Sequence, residues 1–392
     1  MASSDLIVGV VGAGAMGSGI AQVAAAAGHR VVLGDANASA IEKARTAIGS
    51  ALGRDVEKGR MDSSTAEAIL ARIEPVTDKS GAGYADCGIV IEAVLEDLNA
   101  KRALFHGLES SVSSECILAT NTSSLSVTAI ARGCARAERV IGIHFFNPAV
   151  VMPLVEIVPG LATDASVVET AVALAKRWKK TTVVASDTPG FIVNRIARPF
   201  YSESLRQLEE GIADVATIDW AMREIGGFRM GPFELMDFIG NDVNYAVTQS
   251  VFDAFYQESR YRPSMTQRRL VEAGWYGRKA GRGYYDYRDG ATRPEPTRDE
   301  ALGRSIVNRT LAMLINAAAD ARFMGVATAT DIDLAMTKGV NYPKGLLAWG
   351  DEIGAAIILE RLEALQREYG EERYRPSPLL RARVRDRARL VS

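Results

Sequence analysis

"LIVGVVGAGAMGSGIAQVAAAAGHRVVLGD", residues 6–35, decides the fold. Residues 6–11 form an apolar run of the length of a short buried strand. Gly12, Gly14 and Gly17 then give G-x-G-x-x-G, with Ala15 and Met16 inside the spacing. An Ala-rich helix follows to about Ala27, and Gly28 fits its stop. "RVVLGD" reads as a second strand ending on Asp35. A glycine triplet alone is weak evidence. Here it follows a strand, opens a helix and precedes an acid, which is the context a dinucleotide needs. Gly12 permits the tight turn, Gly14 the approach of a pyrophosphate, and Gly17 close packing of helix on strand. Asp35 suits ribose hydroxyls and repels a 2′-phosphate, which predicts NAD over NADP.

The alternation continues. "RIEPV" (72–76), "CGIVIEAV" (87–94), "CILAT" (116–120) and "RVIGI" (139–143) are apolar runs separated by helical segments. This is the pattern of a mostly parallel sheet covered by helices. A charged helical excursion, residues 38–72, carries Arg54, Lys58 and Arg60. It reads as a solvated face or as a meeting place for a phosphorylated ligand, and composition favours the first.

Ligands of open α/β sheets bind at the carboxyl ends of strands. Glu92, Glu96 and Lys101 follow one strand, Thr120 to Ser124 the next, and His144 and Asn147 the last. Ser126 has the position of a helix N-cap. The chain has only three histidines, His29, His106 and His144. His144 is either a core histidine with a hydrogen-bond partner or a general base. Glu156, in the next apolar run, would reach it if that run returned antiparallel. An imidazole titrates near working pH and suits proton exchange with an alcohol that loses hydride.

At 392 residues the chain predicts two or three domains. Its net charge of −2 gives no basic footprint for nucleic acid. Glycines cut every long apolar stretch, so no membrane span is expected. No charged segment precedes the first strand, so no secretory signal is expected. Three cysteines without metal-type spacing predict reduced thiols, no metal and a cytoplasmic setting.

From residue 187 helical periodicity takes over. "IVNR" occurs at 192–195 and 306–309, "ID-x-AM" at 218–222 and 332–336, and "IG" at 239–240 and 353–354, all 114 apart. "RYRPS" recurs at 260–264 and 373–377. The expectation is an α/β Rossmann-type domain, 1–186, with two all-α domains related by an internal repeat, 187–288 and 299–392. "GWYGRKAGRGYYDY" (274–287) belongs to the first copy, and the second is expected to lack that tail.

These residues carry a family resemblance. "GAGAMGSGIA", "IEAVLEDLNAKRALF", "NTSSLSV", "HFFNPAVVMPLVEIV", "DTPGFIVNR", "MGPFELMDFIG" and "GRKAGRGYYDY" lie in the order found in the L-3-hydroxyacyl-CoA dehydrogenase family. Residues 299–392 resemble the extra C-terminal copy of duplicated members, including ones acting on 3-hydroxyadipyl-CoA. The resemblance implies NAD-dependent oxidation of a (S)-3-hydroxyacyl-CoA to the 3-oxoacyl-CoA. It implies His144 as base with Glu156 as its partner, and Ser123 and Asn194 near the substrate's 3-oxygen. It places Gly12, Gly14, Asp35, Glu96, Lys101, Asn147 and Lys279 around NAD. Lys58 matches a lysine that meets the CoA phosphates, which favours the ligand reading of the excursion. Val150 and Pro153 replace a proline and a lysine common in the family, and Ala51 replaces a serine. The second copy is expected to be structural, forming a pseudo-dimer within the chain, with a homodimer also open. Two other readings are a dehydrogenase of a free hydroxy or sugar acid, and a non-catalytic crystallin-like or scaffold protein. No segment remains for a hydratase domain.

Overall fold

The structure, a computed structural model, describes residues 6–77 and 81–392. It contains two compact units, one ending at Thr188 and one beginning at Pro189.

The first unit is built on eight strands: β1 Val8–Val11, β2 Val31–Gly34, β3 Ile73–Val76, β4 Ile89–Glu92, β5 Ile117–Thr120, β6 Val140–Phe145, β7 Leu154–Pro159 and β8 Thr181–Val184. They lie in the order β3-β2-β1-β4-β5-β6-β7-β8. β1 and β4, adjacent in space but not in sequence, mark the switch point where such sheets bind ligands. β1, β2, β4 and β5 are buried at every residue, as unbroken apolar runs in a two-sided parallel sheet must be. Among the described residues, the β6–β7 pair is the one antiparallel pair of this sheet. β8 and the helix before it extend the sheet beyond the alternation visible in sequence.

Six helices connect these strands: α1 Ala15–Ala26, α2 Ala38–Glu57, α3 Ser63–Ala71, α4 Leu98–Ser111, α5 Val127–Ala131 and α6 Ala165–Arg177. Short polar side chains start four of them, Ser126 at α5 accepting from the Ala129 N–H among them. Asn37, Asp62 and Asp97 accept from the backbone N–H of Ser39, Thr65 and Ala100, each cap contributing about 0.5–2 kcal/mol. α2 buries Ile41, Ala44, Ile48 and Leu52. That helical spacing turns one face to the core and leaves the charged face outward. Gly28 ends α1 in the left-handed region, at φ 98°.

The second unit is helical: α7 Val193–Ile196, α8 Arg198–Glu209, α9 Val215–Trp220, α10 Pro232–Ile239, α11 Asn241–Ala254, α12 Met265–Glu272, α13 Glu300–Phe323, α14 Ala329–Gly339, α15 Leu346–Ile353, α16 Ala355–Tyr369 and α17 Pro378–Arg385. Contacts recur at the offset read from the sequence. Asp219 accepts from the N–H groups of Phe233 and Glu234, and Asp333 from those of Leu347 and Ala348. Gly240 and Gly354 both have φ 104° between two helices. Asp237 accepts from the N–H groups of Tyr284 and Tyr285. Asp351 accepts from those of Leu390 and Val391. The second segment has no stretch like 274–287, yet it keeps this contact. Leu390 and Val391 dock where Tyr284 and Tyr285 dock, because a buried carboxylate at the end of a helix recruits backbone donors whatever their side chains.

α8 and α13 pack together, and each carries a carboxylate that meets arginines of the other segment. Arg309 and Arg373 bind Glu203 at 3.0 and 3.3 Å. In the opposite sense, Arg195 and Arg260 bind Asp320 at 3.2 and 3.1 Å.

Candidate active site

The Gly-rich turn is held from two sides. The Gly12 N–H donates to the Gly34 carbonyl at 2.7 Å. The Ala13 N–H donates to Asp35 Oδ2 at 2.8 Å. A Cβ on Gly17 would stand 1.7 Å from the Gly12 oxygen, so α1 can approach β1 only with glycine there. A Cβ on Gly14, by contrast, would meet nothing within 4 Å, and no side chain caps α1. The N-terminus of a twelve-residue helix is left open to an anion. Beside it lies a cavity of about 590 Å³ lined by Gly12, Gly14, Asp35, Ala93, Leu95 and Leu104, among others. Backbone at the turn, an acid at the next strand end and apolar walls fit the pyrophosphate, ribose and adenine of a dinucleotide.

The next strand ends form one polar network. Glu92, the last residue of β4, is fully buried, and Lys101 on α4 is 1% exposed. They pair at 2.5 Å, and Lys101 also reaches Glu96 at 3.2 Å. Thr120 donates to Glu92 at 2.7 Å. Glu96 accepts from the Thr122 hydroxyl at 2.6 Å and from the Ser123 N–H at 2.9 Å. Burial works to raise the Glu96 pKa. The Lys101 ammonium and the donors of Thr122 and Ser123 outweigh it and hold the carboxyl below its ordinary value. The loop 121–124 after β5 is thus gathered around one carboxylate. Lys101 is committed inside this network; its ammonium is not displayed on the surface.

His144 stands directly opposite Glu156 in the antiparallel β6–β7 pair. Nδ1 lies 2.7 Å from Glu156 Oε2, with the histidine 5% and the glutamate 0% exposed. A carboxylate on Nδ1 selects the tautomer with its proton there and leaves the Nε2 lone pair as the acceptor. The Phe146 ring lies 4.5 Å from the imidazole. Asn121 accepts from the Phe145 N–H at 2.8 Å and ties the end of β6 to the loop after β5. His29 shows the structural alternative. It is buried, contacts the Leu6 carbonyl at 2.9 Å and sits near Trp178. Burial lowers its pKa despite that contact. His106 is exposed on α4.

Parallel pairing from β1 through β6 puts the Gly-rich turn, the Glu92–Lys101–Glu96 network, Ser123 and His144 along one sheet edge. Asn147 is exposed just beyond β6, before Pro148. Lys58 is exposed, just past the end of α2. Asn194 and Lys279 belong to the second unit. Asn194 is half-buried in α7, and Lys279 pairs with Asp242 at 2.7 Å.

Two positioning residues escaped the sequence. Asp187 accepts from the Ser126 hydroxyl and from the N–H groups of Val127 and Thr128, fixing the start of α5. Lys180 donates to the carbonyls of Ala149 and Met152, holding the loop after Asn147. Burial lowers the Lys180 pKa. Its signal was a lysine beside the apolar run "TTVV".

A doubly wound sheet, an open glycine turn with its cavity, and an acid-oriented histidine on the same edge define a nicotinamide-dependent dehydrogenase. Residues 7–188 match the 3-hydroxyacyl-CoA dehydrogenase NAD binding domain, and 190–287 and 306–388 match the C-terminal domain of the same family. The chain belongs to the 3-hydroxyacyl-CoA dehydrogenase family and is NAD-dependent. It is 43% identical to a 3-hydroxyadipyl-CoA dehydrogenase of Escherichia coli, covering 96% of this chain and 97% of that one. It is 42% identical to a 3-hydroxybutyryl-CoA dehydrogenase of Bradyrhizobium diazoefficiens over 74% of this chain and 98% of that one. A crystal structure of an Escherichia coli 3-hydroxybutyryl-CoA dehydrogenase superposes with TM-score 0.91 at 41% identity, over 97% of this chain and 98% of that one. No helix among the described residues is long and apolar enough to cross a membrane.

Proposed function

We propose that the protein oxidises the 3-hydroxyl of a (S)-3-hydroxyacyl-CoA to the 3-oxoacyl-CoA. The observation that carries this reading is the 2.7 Å contact of His144 with buried Glu156, on the edge that also bears the Gly12–Gly17 turn. NAD supplies the hydride acceptor. His144 Nε2 takes the proton of the substrate hydroxyl, and Glu156 stabilises the imidazolium so formed. Ser123, seated by Glu96, donates to the 3-oxygen as its carbonyl forms. Lys101 acts through Glu96, positioning that loop. Gly12, Gly14, Ala15, Met16, Gly17 and Asp35 hold the dinucleotide, with Glu96 and Asn147 along its nicotinamide side. Asn194 as a substrate contact, Lys279 as a cofactor contact and Lys58 as a CoA-phosphate contact follow from the family resemblance. The three free cysteines suit a reducing, cytoplasmic compartment.

The helical unit is read as two copies of one module, 187–288 and 299–392, after the Rossmann-type domain 1–186. The offset of 114 residues, the paired Asp219 and Asp333 caps, and the two separate matches to one C-terminal domain support this. The reciprocal pairing of Glu203 and Asp320 with arginines of the other segment supports a pseudo-dimer within one chain.

The test follows NADH formation with (S)-3-hydroxybutyryl-CoA, (S)-3-hydroxyadipyl-CoA and free 3-hydroxybutyrate side by side, each with a His144→Ala control. Turnover of a thioester, lost in the variant, is expected. Turnover of the free acid alone would replace the CoA reading with that of a hydroxy-acid dehydrogenase. NAD binding without turnover of any substrate would favour a non-catalytic role.

A further inference from the structure

Asp219 and Asp333 occupy matching places in the two helical segments, and their surroundings differ in one respect. Each caps a helix through two backbone N–H groups. Each faces a glycine, Gly231 or Gly345, whose added Cβ would stand 2.3 or 2.4 Å from the carboxylate. Over Asp219 lies the phenol of Tyr285, donating to Oδ2 at 2.7 Å. The Arg293 guanidinium covers that ring at 4.8 Å.

In the second segment the residue docked like Tyr285 is Val391, whose N–H binds Asp351 as that of Tyr285 binds Asp237. Valine stops short of Asp333. A groove of about 400 Å³ remains, lined by Ala329, Thr330, Asp333, Leu334, Thr337 and Val391, among others. Its walls are mostly apolar with one carboxylate inside. Oδ1 and Oδ2 each accept one backbone N–H, and a carboxylate has about four acceptor sites. Asp219 already accepts a third donor with the same backbone partners. Burial raises the Asp333 pKa, opposed by those two backbone bonds.

We propose that this groove binds a small para-substituted phenol, its ring against Leu334 and Val391 and its hydroxyl donating to Asp333. The occupant is argued from the first segment, where the corresponding place is filled by the chain's own phenol.

The full chain is titrated with p-cresol and, in parallel, with 4-methylanisole, by ligand-observed NMR and thermal shift. Saturable p-cresol binding is expected, roughly tenfold or more tighter than that of 4-methylanisole, which lacks the donor. Val391→Tyr should raise the melting temperature and weaken p-cresol roughly tenfold or more, with NADH formation unchanged. No saturable binding, equal affinity for the two ligands, or p-cresol affinity unaltered by V391Y overturns the site. The ligand comparison on the unaltered chain decides the matter if V391Y does not fold.

Discussion

Glu156 at the sheet edge and Glu203 in the helical unit are 0% and 1% exposed. Glu156 faces His144 at 2.7 Å, and an imidazole can take up and release a proton in the ordinary pH range. Glu203 faces Arg309 and Arg373, with the Tyr374 hydroxyl at 3.1 Å. Guanidiniums keep their charge at any pH where the protein is folded. Burying a carboxylate is costly in either place and needs a partner. The nature of the partner separates the two: Glu156 meets an imidazole, whereas Glu203 meets guanidiniums that join two helical segments.

The difference is tested first where it is largest. His144→Ala should lower turnover by roughly 10²–10⁴-fold while circular dichroism shows a folded chain; a variant with near-normal kcat would place the base elsewhere. Glu203→Ala removes one carboxylate from two buried guanidiniums, Arg309 keeping Glu210 and Arg373 keeping Glu371. It should cost about 1.5–3 kcal/mol in denaturant unfolding, with kcat retained under conditions where the variant is folded. Loss of kcat without loss of stability would invert the assignment of the two carboxylates. Gly17→Ala, with its Cβ driven into the Gly12 oxygen, should raise the KM for NAD by roughly tenfold or more and leave the Glu203 cluster untouched.

The smallest effect is a pH dependence. Burial, opposed by Tyr285 and two backbone donors, pushes Asp219 from 3.8 up to about 7. Such a carboxyl holds its proton more tightly folded than unfolded. Its contribution to stability is therefore complete below 3.8 and lost as pH rises to about 7. The melting temperature should carry a downward component of a few degrees across that window. Asp219→Asn should remove that component, whatever it does to the midpoint itself. A slope that persists in D219N assigns it to other groups.

Much of the first unit was legible because its signals are local. The glycine triplet announces a turn that only glycine can make, and four apolar runs at regular intervals announce a parallel sheet. The antiparallel return of Glu156 was legible as a condition: if the histidine had an acid, the next run had to come back beside it. β8 was not legible, since "TTVV" is short and lies past the last polar group of the edge. The burial of Lys101 was equally hidden. A lysine after a strand looks the same whether it greets a phosphate or is sealed between Glu92 and Glu96. The docking of Leu390 and Val391 on Asp351 left no mark either, because backbone N–H groups carry it and side-chain patterns do not record them.

The sequence by itself determined the strand-turn-helix opening, the alternation that builds the sheet, and the 114-residue offset in the helical half. All three rest on preferences expressed within a few residues or on direct likeness of two segments. Tertiary structure alone decided which charges meet. It set His144 opposite Glu156 through strand register. It brought Arg309 and Arg373 to Glu203 across 106 and 170 residues of chain. It gave Asp219 a phenol and left Asp333 beside a groove. Folding removes water from these groups, so each keeps its charge or proton according to the partner that packing supplies, and packing is a property of the whole chain.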